Sequence, residues 1–558
     1  MNPRFGAFEV DLEGRRLLKK GTPIPLREQS FQVLAALMER PGEIVTREEL
    51  RRRLWSSDTF VDFEVALNSA VSRLRDALGD SADAPSVIET IPKRGYRFVV
   101  PIPKQPAVAV MPFANQTGDA KDEYFSVGLT EELIRVLSRI DGLRVTASSV
   151  VFRFKGQRCD ARQVGRELGV EAVLEGSIWR SGDRIRITVN LVGVKDGFNL
   201  WAQRFDGNLG DLFRFQDQVC AAVAEALHMR LAPQSPKRHP KNATAYMQYL
   251  KGAYLLKKRR PDDIQRAFEY LQEAIQLEPD YAEPYYGAAM FHVVNTAYGA
   301  VPPGTALPEA ECLLSKGLAL DENSATLHAT LGMLRMFQWR WAESEQAHQR
   351  AMSLEPANAF PHMVYPILCS FLGRHDEAVF HAEKAVELDP LDLMTNFRLV
   401  QANCYGRRYE EAVRAGRIAI ELTPDSPYTY FYLAMSLAAL GSKDEAWETA
   451  NKGRRLADGM PLGEGYFGYV AGVLGHQDEA RSVVEGLQAR REKGYAPALP
   501  IVGTYLGLGE TSAALEWLDT SFAERDPFLG SLLVFPAYDA IRNQPQFKRL
   551  AEQLKLPT

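Results

Sequence analysis

The sequence predicts a multidomain chain with three kinds of structure in succession: a small α+β domain, a small α/β domain and a long all-α array. Three observations carry this. Residues 64–98 read as an amphipathic helix followed by a hairpin. Short apolar strands alternate with helical stretches over 107–231. From residue 378 onward, small residues recur at a constant step of 34.

At 558 residues, several cores are expected rather than one. The 66 Lys and Arg against 71 Asp and Glu give a net charge of −5, so any nucleic-acid contact has to be local. Cys159, Cys220, Cys312, Cys369 and Cys404 are far apart with no CxxC pair, which fits buried thiols in a reducing compartment better than disulfides or a zinc site. The amino terminus does not read as a signal peptide. No run approaches the roughly 18–20 apolar residues that span a bilayer, and the expectation is a cytoplasmic protein.

In the first domain, residues 5–26 alternate apolar and polar in short pieces with turns at Gly14 and Gly21, as in a small antiparallel sheet. A helix is expected over 30–39, capped by Ser30, and another over 47–55, capped by Thr46. Arg51, Arg52 and Arg53 then fall near a helix end, where they either reach phosphates or favour the helix dipole. Leu67, Val71, Leu74 and Leu78 make one apolar stripe at about 100° per residue, and Gly79 closes that helix. Its other surface carries Asn68, Ser69, Ser72, Arg73 and, at the edge, Arg75. Strands over 87–91 and 95–100 flank a turn with Pro92, Lys93 and Arg94. A helix with short donors and arginines, followed by a basic hairpin, suits a DNA duplex. The helix enters the major groove and the hairpin reaches phosphates or the minor groove.

This stretch resembles the effector domain of OmpR/PhoB-type response regulators and their membrane-sensor relatives typified by CadC and ToxR, a winged helix-turn-helix fold. The matching residues are 26–31 (LREQSF), 45–50 (VTREEL), 71–78 (VSRLRDAL) and 88–98 (IETIPKRGYRF), so the resemblance covers essentially all of 1–101. It implies double-stranded promoter DNA as partner and pairing of two copies on repeated half-sites, and it permits contact of the loop 56–63 with RNA polymerase. It differs from the CadC-like relatives in lacking a transmembrane helix after this domain. Pro92 stands where the family often has an arginine, which displaces the basic residues to Lys93 and Arg94. The candidate DNA-binding residues are therefore Asn68, Ser69, Ser72, Arg73 and Arg75 on the helix and Lys93, Arg94 and Arg97 on the wing. Residues 1–105 hold 17 Lys and Arg against 15 Asp and Glu, so a single copy is expected to bind weakly and with strong salt dependence.

After a proline-rich linker over 101–106, the segment 107–231 resembles the TolB amino-terminal-like domain through residues 109–113 (AVMPF), 122–125 (DEYF), 128–131 (GLTE), 167–170 (ELGV), 174–177 (LEGS) and 200–202 (LWA). The loop 113–128 is either ligand-facing or simply packed. A second linker spans 232–242. Ala378, Ala412, Ala446, Ala480 and Ala514 then step by 34, and Pro356, Pro390 and Pro424 keep the interval, which is the tetratricopeptide signature. About eight repeats are expected over 244–540, one carrying roughly nine extra residues near 297–307. A capping helix is expected within 541–558. Such arrays form a superhelix whose concave side takes a protein or peptide. The aromatics Tyr246, Tyr254, Tyr285, Tyr286, Phe371, Tyr428, Tyr430 and Tyr432 are expected to pack between repeats, and His375, His381 and His476 to lie at the surface of helix ends.

No GxxxxGK[ST], HExxH, GxSxG or CxxC motif is present. The expectation is a non-enzyme without metal or cofactor: a one-component transcriptional regulator whose α/β and repeat regions bind a protein, peptide or small signal. The alternative is an assembly scaffold whose winged helix makes protein contacts.

Overall fold

A computed structural model of the chain describes residues 4–5, 7–11, 15–19, 22–54, 63–100, 105–119, 122–140, 142–157, 159–227, 240–258, 260–457 and 459–556. The expected turns at Gly14 and Gly21, the loop residues 56–62, and residues 101–104 and 228–239 of the linkers lie outside them. The chain divides into two compact units, Met1–Pro106 and Ala107–Thr558.

The first unit opens with an antiparallel meander, β1 (Arg4–Phe5), β2 (Phe8–Asp11), β3 (Arg16–Lys19) and β4 (Thr22–Ile24). There follow α1 (Glu28–Met38), β5 (Ile44–Thr46), α2 (Arg47–Leu54), α3 (Phe63–Leu78), β6 (Ile88–Ile91) and β7 (Gly95–Phe98). The last three strands pair antiparallel in the order β5-β7-β6. Helix α1 begins two residues before the expected Ser30 cap. Ser30 is instead buried, and its hydroxyl donates to the Ala70 carbonyl at 2.9 Å, tying α1 to α3. Thr46 does cap α2, reciprocally with Glu49: the Glu49 amide donates to Thr46 Oγ1, and the Glu49 carboxylate accepts from the Thr46 amide at 2.7 Å. At the end of α3 the Gly79 amide donates to Asp76 O and the Asp80 amide to Arg75 O, with Gly79 at φ +68°. That paired closure needs a left-handed residue, which glycine supplies without strain. The stripe Leu67, Val71, Leu74 and Leu78 joins Leu34, Leu37, Leu50, Ile88 and Phe98 in one core.

The second unit begins with an α/β domain: β8 (Ala107–Val110), β9 (Ala114–Asn115), α4 (Glu123–Leu137), β10 (Arg144–Val145), α5 (Ser148–Phe152), α6 (Ala161–Leu168), β11 (Ala172–Ser181), β12 (Arg184–Gly193), β13 (Asn199–Asn208) and α7 (Leu212–Ala226). The sheet order is β10-β8-β11-β12-β13, with β9 beside β11. Strand β8 lies parallel to both neighbours, and all four of its residues are buried, as an inner parallel strand requires. Within the segment 113–128, the Phe113 amide donates to the buried Thr130 hydroxyl and β9 pairs with β11, while Ala114, Gln116, Gly118 and Asp119 are exposed and residues 120–121 lie outside the described residues.

Among the described residues, seventeen α-helices follow: α8 (Ala243–Lys258), α9 (Pro261–Leu277), α10 (Glu283–Ala297), α11 (Pro303–Leu320), α12 (Ala325–Phe337), α13 (Trp341–Leu354), α14 (Ala359–Phe371), α15 (His375–Leu388), α16 (Leu393–Tyr405), α17 (Tyr409–Leu422), α18 (Pro427–Ala439), α19 (Lys443–Ala457), α20 (Pro461–Leu474), α21 (Gln477–Lys493), α22 (Leu499–Gly507), α23 (Thr511–Ala523) and α24 (Pro545–Gln553). The first sixteen pair as successive antiparallel hairpins. The period-34 alanines Ala378, Ala412, Ala446, Ala480 and Ala514 are all fully buried where the two helices of a repeat touch. Of the singled-out aromatics, Tyr246, Tyr285, Phe371, Tyr428, Tyr430 and Tyr432 are buried.

Three features depart from the sequence reading. First, the α/β domain is docked on the repeats. Tyr246, Met247, Leu250 and Tyr281 share a core with Val108, Leu133 and Phe215, while Arg139–Glu355 at 2.6 Å and a Ser149–Asp389 hydrogen bond reach repeats further along. Second, residues after α23 do more than cap the last repeat. Leu529 and Leu532 are fully buried, Phe528 packs edge-on to Phe337, and the Trp341 indole donates to the Leu554 carbonyl at 2.7 Å. Third, His381 lies inside α15, half-buried, with its Nδ1 2.9 Å from His362 Nδ1. Burial pushes both imidazoles down to about 4. His375 and His476 do flank helix starts.

Candidate nucleic-acid interface

Because α3 buries the narrow stripe centred on Leu67 and Leu74, its outward side is set by helical geometry: Val65, Asn68, Ser72, Arg73 and Asp76 are exposed and Ser69 half-exposed. Val65, at 65% exposure, is an apolar member of this face that the sequence reading passed over. The signal was available, since Val65 stands one turn before Asn68 and Ser69 on the polar side of the stripe. An exposed aliphatic there can meet a thymine methyl.

Arg75 does not join that face. Its Nη2 donates to the Ile88 carbonyl and the Thr90 hydroxyl, both at 2.8 Å, and its Nε stands 3.8 Å from Asp80. In this geometry Arg75 fixes the angle between α3 and the hairpin. Asp80 completes the joint, accepting from the Ser86 amide and hydroxyl, the Val87 amide and the Ile88 amide. Burial pushes the Asp80 carboxyl up, but these donors outweigh it and hold the group below its ordinary value.

On the hairpin, Lys93 adopts φ +60° and Arg94 follows it at the exposed tip. The turn is pulled tight because Gly95 lies against β5. A Cβ there would sit 2.1 Å from the Val45 carbonyl oxygen, so no other residue fits. Arg97 is half-buried and faces Glu89 across the strand pair at 3.5 Å. The arginines of α2 are also partnered. Arg53 pairs with Glu39 at 2.7 Å, Arg52 with Glu48 at 3.4 Å, and Arg51 lies over the Phe63 ring. Among the described residues, no carboxylate lies within salt-bridge distance of Arg73, Lys93 or Arg94. The unit thus presents a polar helix face with one free guanidinium and a hairpin tip with two free cations. That arrangement can read base edges and hold phosphates.

Residues 21–98 match the family described as transcriptional regulatory protein, C terminal. Residues 104–222 match the second domain of HilA/YgeH-like transcriptional regulators, and residues 368–390 a tetratricopeptide repeat. The first unit is therefore an OmpR/PhoB-type winged helix, and the middle domain is of the kind found in HilA-like regulators.

Three relatives place these parts in whole proteins. The chain is 32% identical over 253 residues to a Rhizobium meliloti (strain 1021) protein named as a candidate adenylate cyclase, covering 44% of this chain and 43% of that one. It is 23% identical over 345 residues to the transcriptional regulator HilA of Salmonella paratyphi A, covering 59% and 60%. It is 37% identical over 76 residues to the cholera toxin homolog transcriptional activator of Vibrio parahaemolyticus, covering 14% and 26%. The chain thus matches roughly two-fifths to three-fifths of the length of the first two relatives. Among the described residues no helix is long and apolar enough to cross a membrane.

Proposed function

We propose that this chain is a one-component, sequence-specific transcriptional regulator that acts in the cytoplasm. In this reading α3 lies in the major groove of promoter DNA with Asn68, Ser69, Ser72 and Arg73 towards base edges, and Lys93 and Arg94 hold phosphates. The carrying observation is that Arg73, Lys93 and Arg94, each without a carboxylate in salt-bridge distance among the described residues, all flank this one face. Arg75 and Arg97 then act as positioning residues. The α/β domain, for which kinship to TolB-like domains is part of the proposal, and the repeats bind a protein, peptide or small signal and alter pairing or RNA polymerase recruitment. The reading assigns the chain no catalytic step and no cofactor.

The exposed Val65 and the sparse charge of the face favour one rival, a repeat scaffold whose winged helix contacts protein. Titration of the full chain with duplex DNA at several salt concentrations separates the two. A regulator gives binding that weakens steeply with salt and is weaker, with a shallower salt dependence, in R73A and in K93A/R94A; a scaffold gives no salt-dependent duplex binding in the folded protein.

A further inference from the structure

The reading face contains one side chain whose hydrogen-bonding polarity is fixed from behind. Arg47, at the start of α2, donates through Nη1 to Glu64 Oε2 at 2.5 Å and to Asn68 Oδ1 at 3.2 Å, and through Nη2 to the Tyr96 hydroxyl at 3.1 Å. The Tyr96 hydroxyl in turn donates to Asn68 Oδ1 at 2.8 Å. A guanidinium has no acceptor, so the amide atom facing it has to be the oxygen. Tyr96 already accepts from Arg47, which commits its own proton to the same oxygen. The Tyr96 ring is 2% exposed, and burial raises its hydroxyl above the ordinary value, so that proton stays in place. Asn68 Oδ1 is therefore spent on two donors. Its Nδ2, on the exposed side of α3, has no hydrogen-bond partner among the described residues.

A free asparagine pairs with adenine by accepting from N6 and donating to N7, which uses both ends of the amide. That mode is closed here unless the Arg47–Tyr96 hold is broken. What remains is a donor-only group, and the base edge offering two neighbouring acceptors in the major groove is guanine, with O6 and N7. We propose that Asn68 is a guanine-reading residue and that Tyr96 and Arg47 are positioning residues that set this preference by holding its amide in one orientation. This rests on the regulator reading and specifies which base its site contains.

The test is selection of bound duplexes from a randomised pool by the full chain, followed by competition between single-base variants of the selected sequence. Each protein variant is first checked for native circular dichroism. The selected sequence is expected to hold one guanine that N68A alone makes indifferent, with the guanine-to-adenine preference falling by about tenfold. N68D, which offers only acceptors, should move that position towards cytosine. Y96F keeps the ring and removes the hydroxyl, and should lower the guanine-to-adenine ratio several-fold while leaving the other positions unchanged. Enrichment of no duplex at all removes the regulator reading itself. Enrichment without a guanine sensitive to N68A, or with adenine at that place, overturns the assignment of Asn68 alone. An unchanged ratio in Y96F overturns the positioning role.

Discussion

On the winged helix, Arg73, Lys93 and Arg94 stand in solvent with no carboxylate partner among the described residues. In the repeat array, Arg398 of α16 is half-buried among Tyr298, Tyr405, Tyr432 and Tyr466, equally without a carboxylate in salt-bridge distance among the described residues. Its Nη1 donates to Gln401 Oε1 at 2.6 Å, Gln401 donates to the Tyr432 hydroxyl, and that hydroxyl meets Tyr405 at 2.8 Å and Tyr466 at 3.2 Å. Burial pushes the Arg398 guanidinium down to about 10, with the surrounding tyrosines only partly offsetting it. The same residue type carries opposite costs in the two places. Water screens the surface cations, whereas Arg398 gives up hydration for the Gln401 amide oxygen and the Phe397 ring face.

The comparison breaks most readily at the joint that holds the surface cations in position. D80A should destabilise the winged helix by about 3 kcal/mol, because the Ser86, Val87 and Ile88 donors lose their acceptor; the first transition of the full chain in urea reads this. The Asp80 carboxyl titrates lower in the folded than in the unfolded state, so its stabilisation is present above the unfolded value and disappears as pH falls through the lowered folded one. A winged-helix transition that is insensitive to acid below about pH 4 would contradict that joint.

Next in size, each of R73A, K93A and R94A should reduce the slope of log affinity against log salt by about 1. Salt titrations in which R97A has the larger effect would reverse the assignment of free and paired cations. R398M should be neutral or stabilising by about 1 kcal/mol, since an apolar chain of similar volume escapes the desolvation cost. A loss above about 2 kcal/mol in thermal unfolding would mean the tyrosine hydroxyls fully compensate the charge. Smallest, S30A should cost about 1 kcal/mol through the lost bond to Ala70.

What could be read from the sequence follows from how local each feature is. The step of 34 and the stripe from Leu67 to Leu78 are properties of one helix or one repeat, so the array and α3 are legible in the sequence. Arg75 was misjudged because it sits at the edge of the stripe, where a long side chain can turn either way, and its partners are a carbonyl and a hydroxyl 13 and 15 residues on. Asn68 was on the expected face, but the polarity of its amide depends on Arg47 and Tyr96, which come from other elements. The docking of Tyr246 and Leu250 onto the α/β core was hidden for a different reason. An apolar residue in a repeat looks the same whether it faces the next repeat or a neighbouring domain.

That docking bears on how the protein can be taken apart. Severing the backbone anywhere between residues 227 and 240 would not free two finished modules. It would leave β8, α4 and α7 on one fragment and α8 on the other with a raw oily surface where Leu133, Phe215, Tyr246 and Leu250 had met. A cut beside Pro106, by contrast, falls between two compact units.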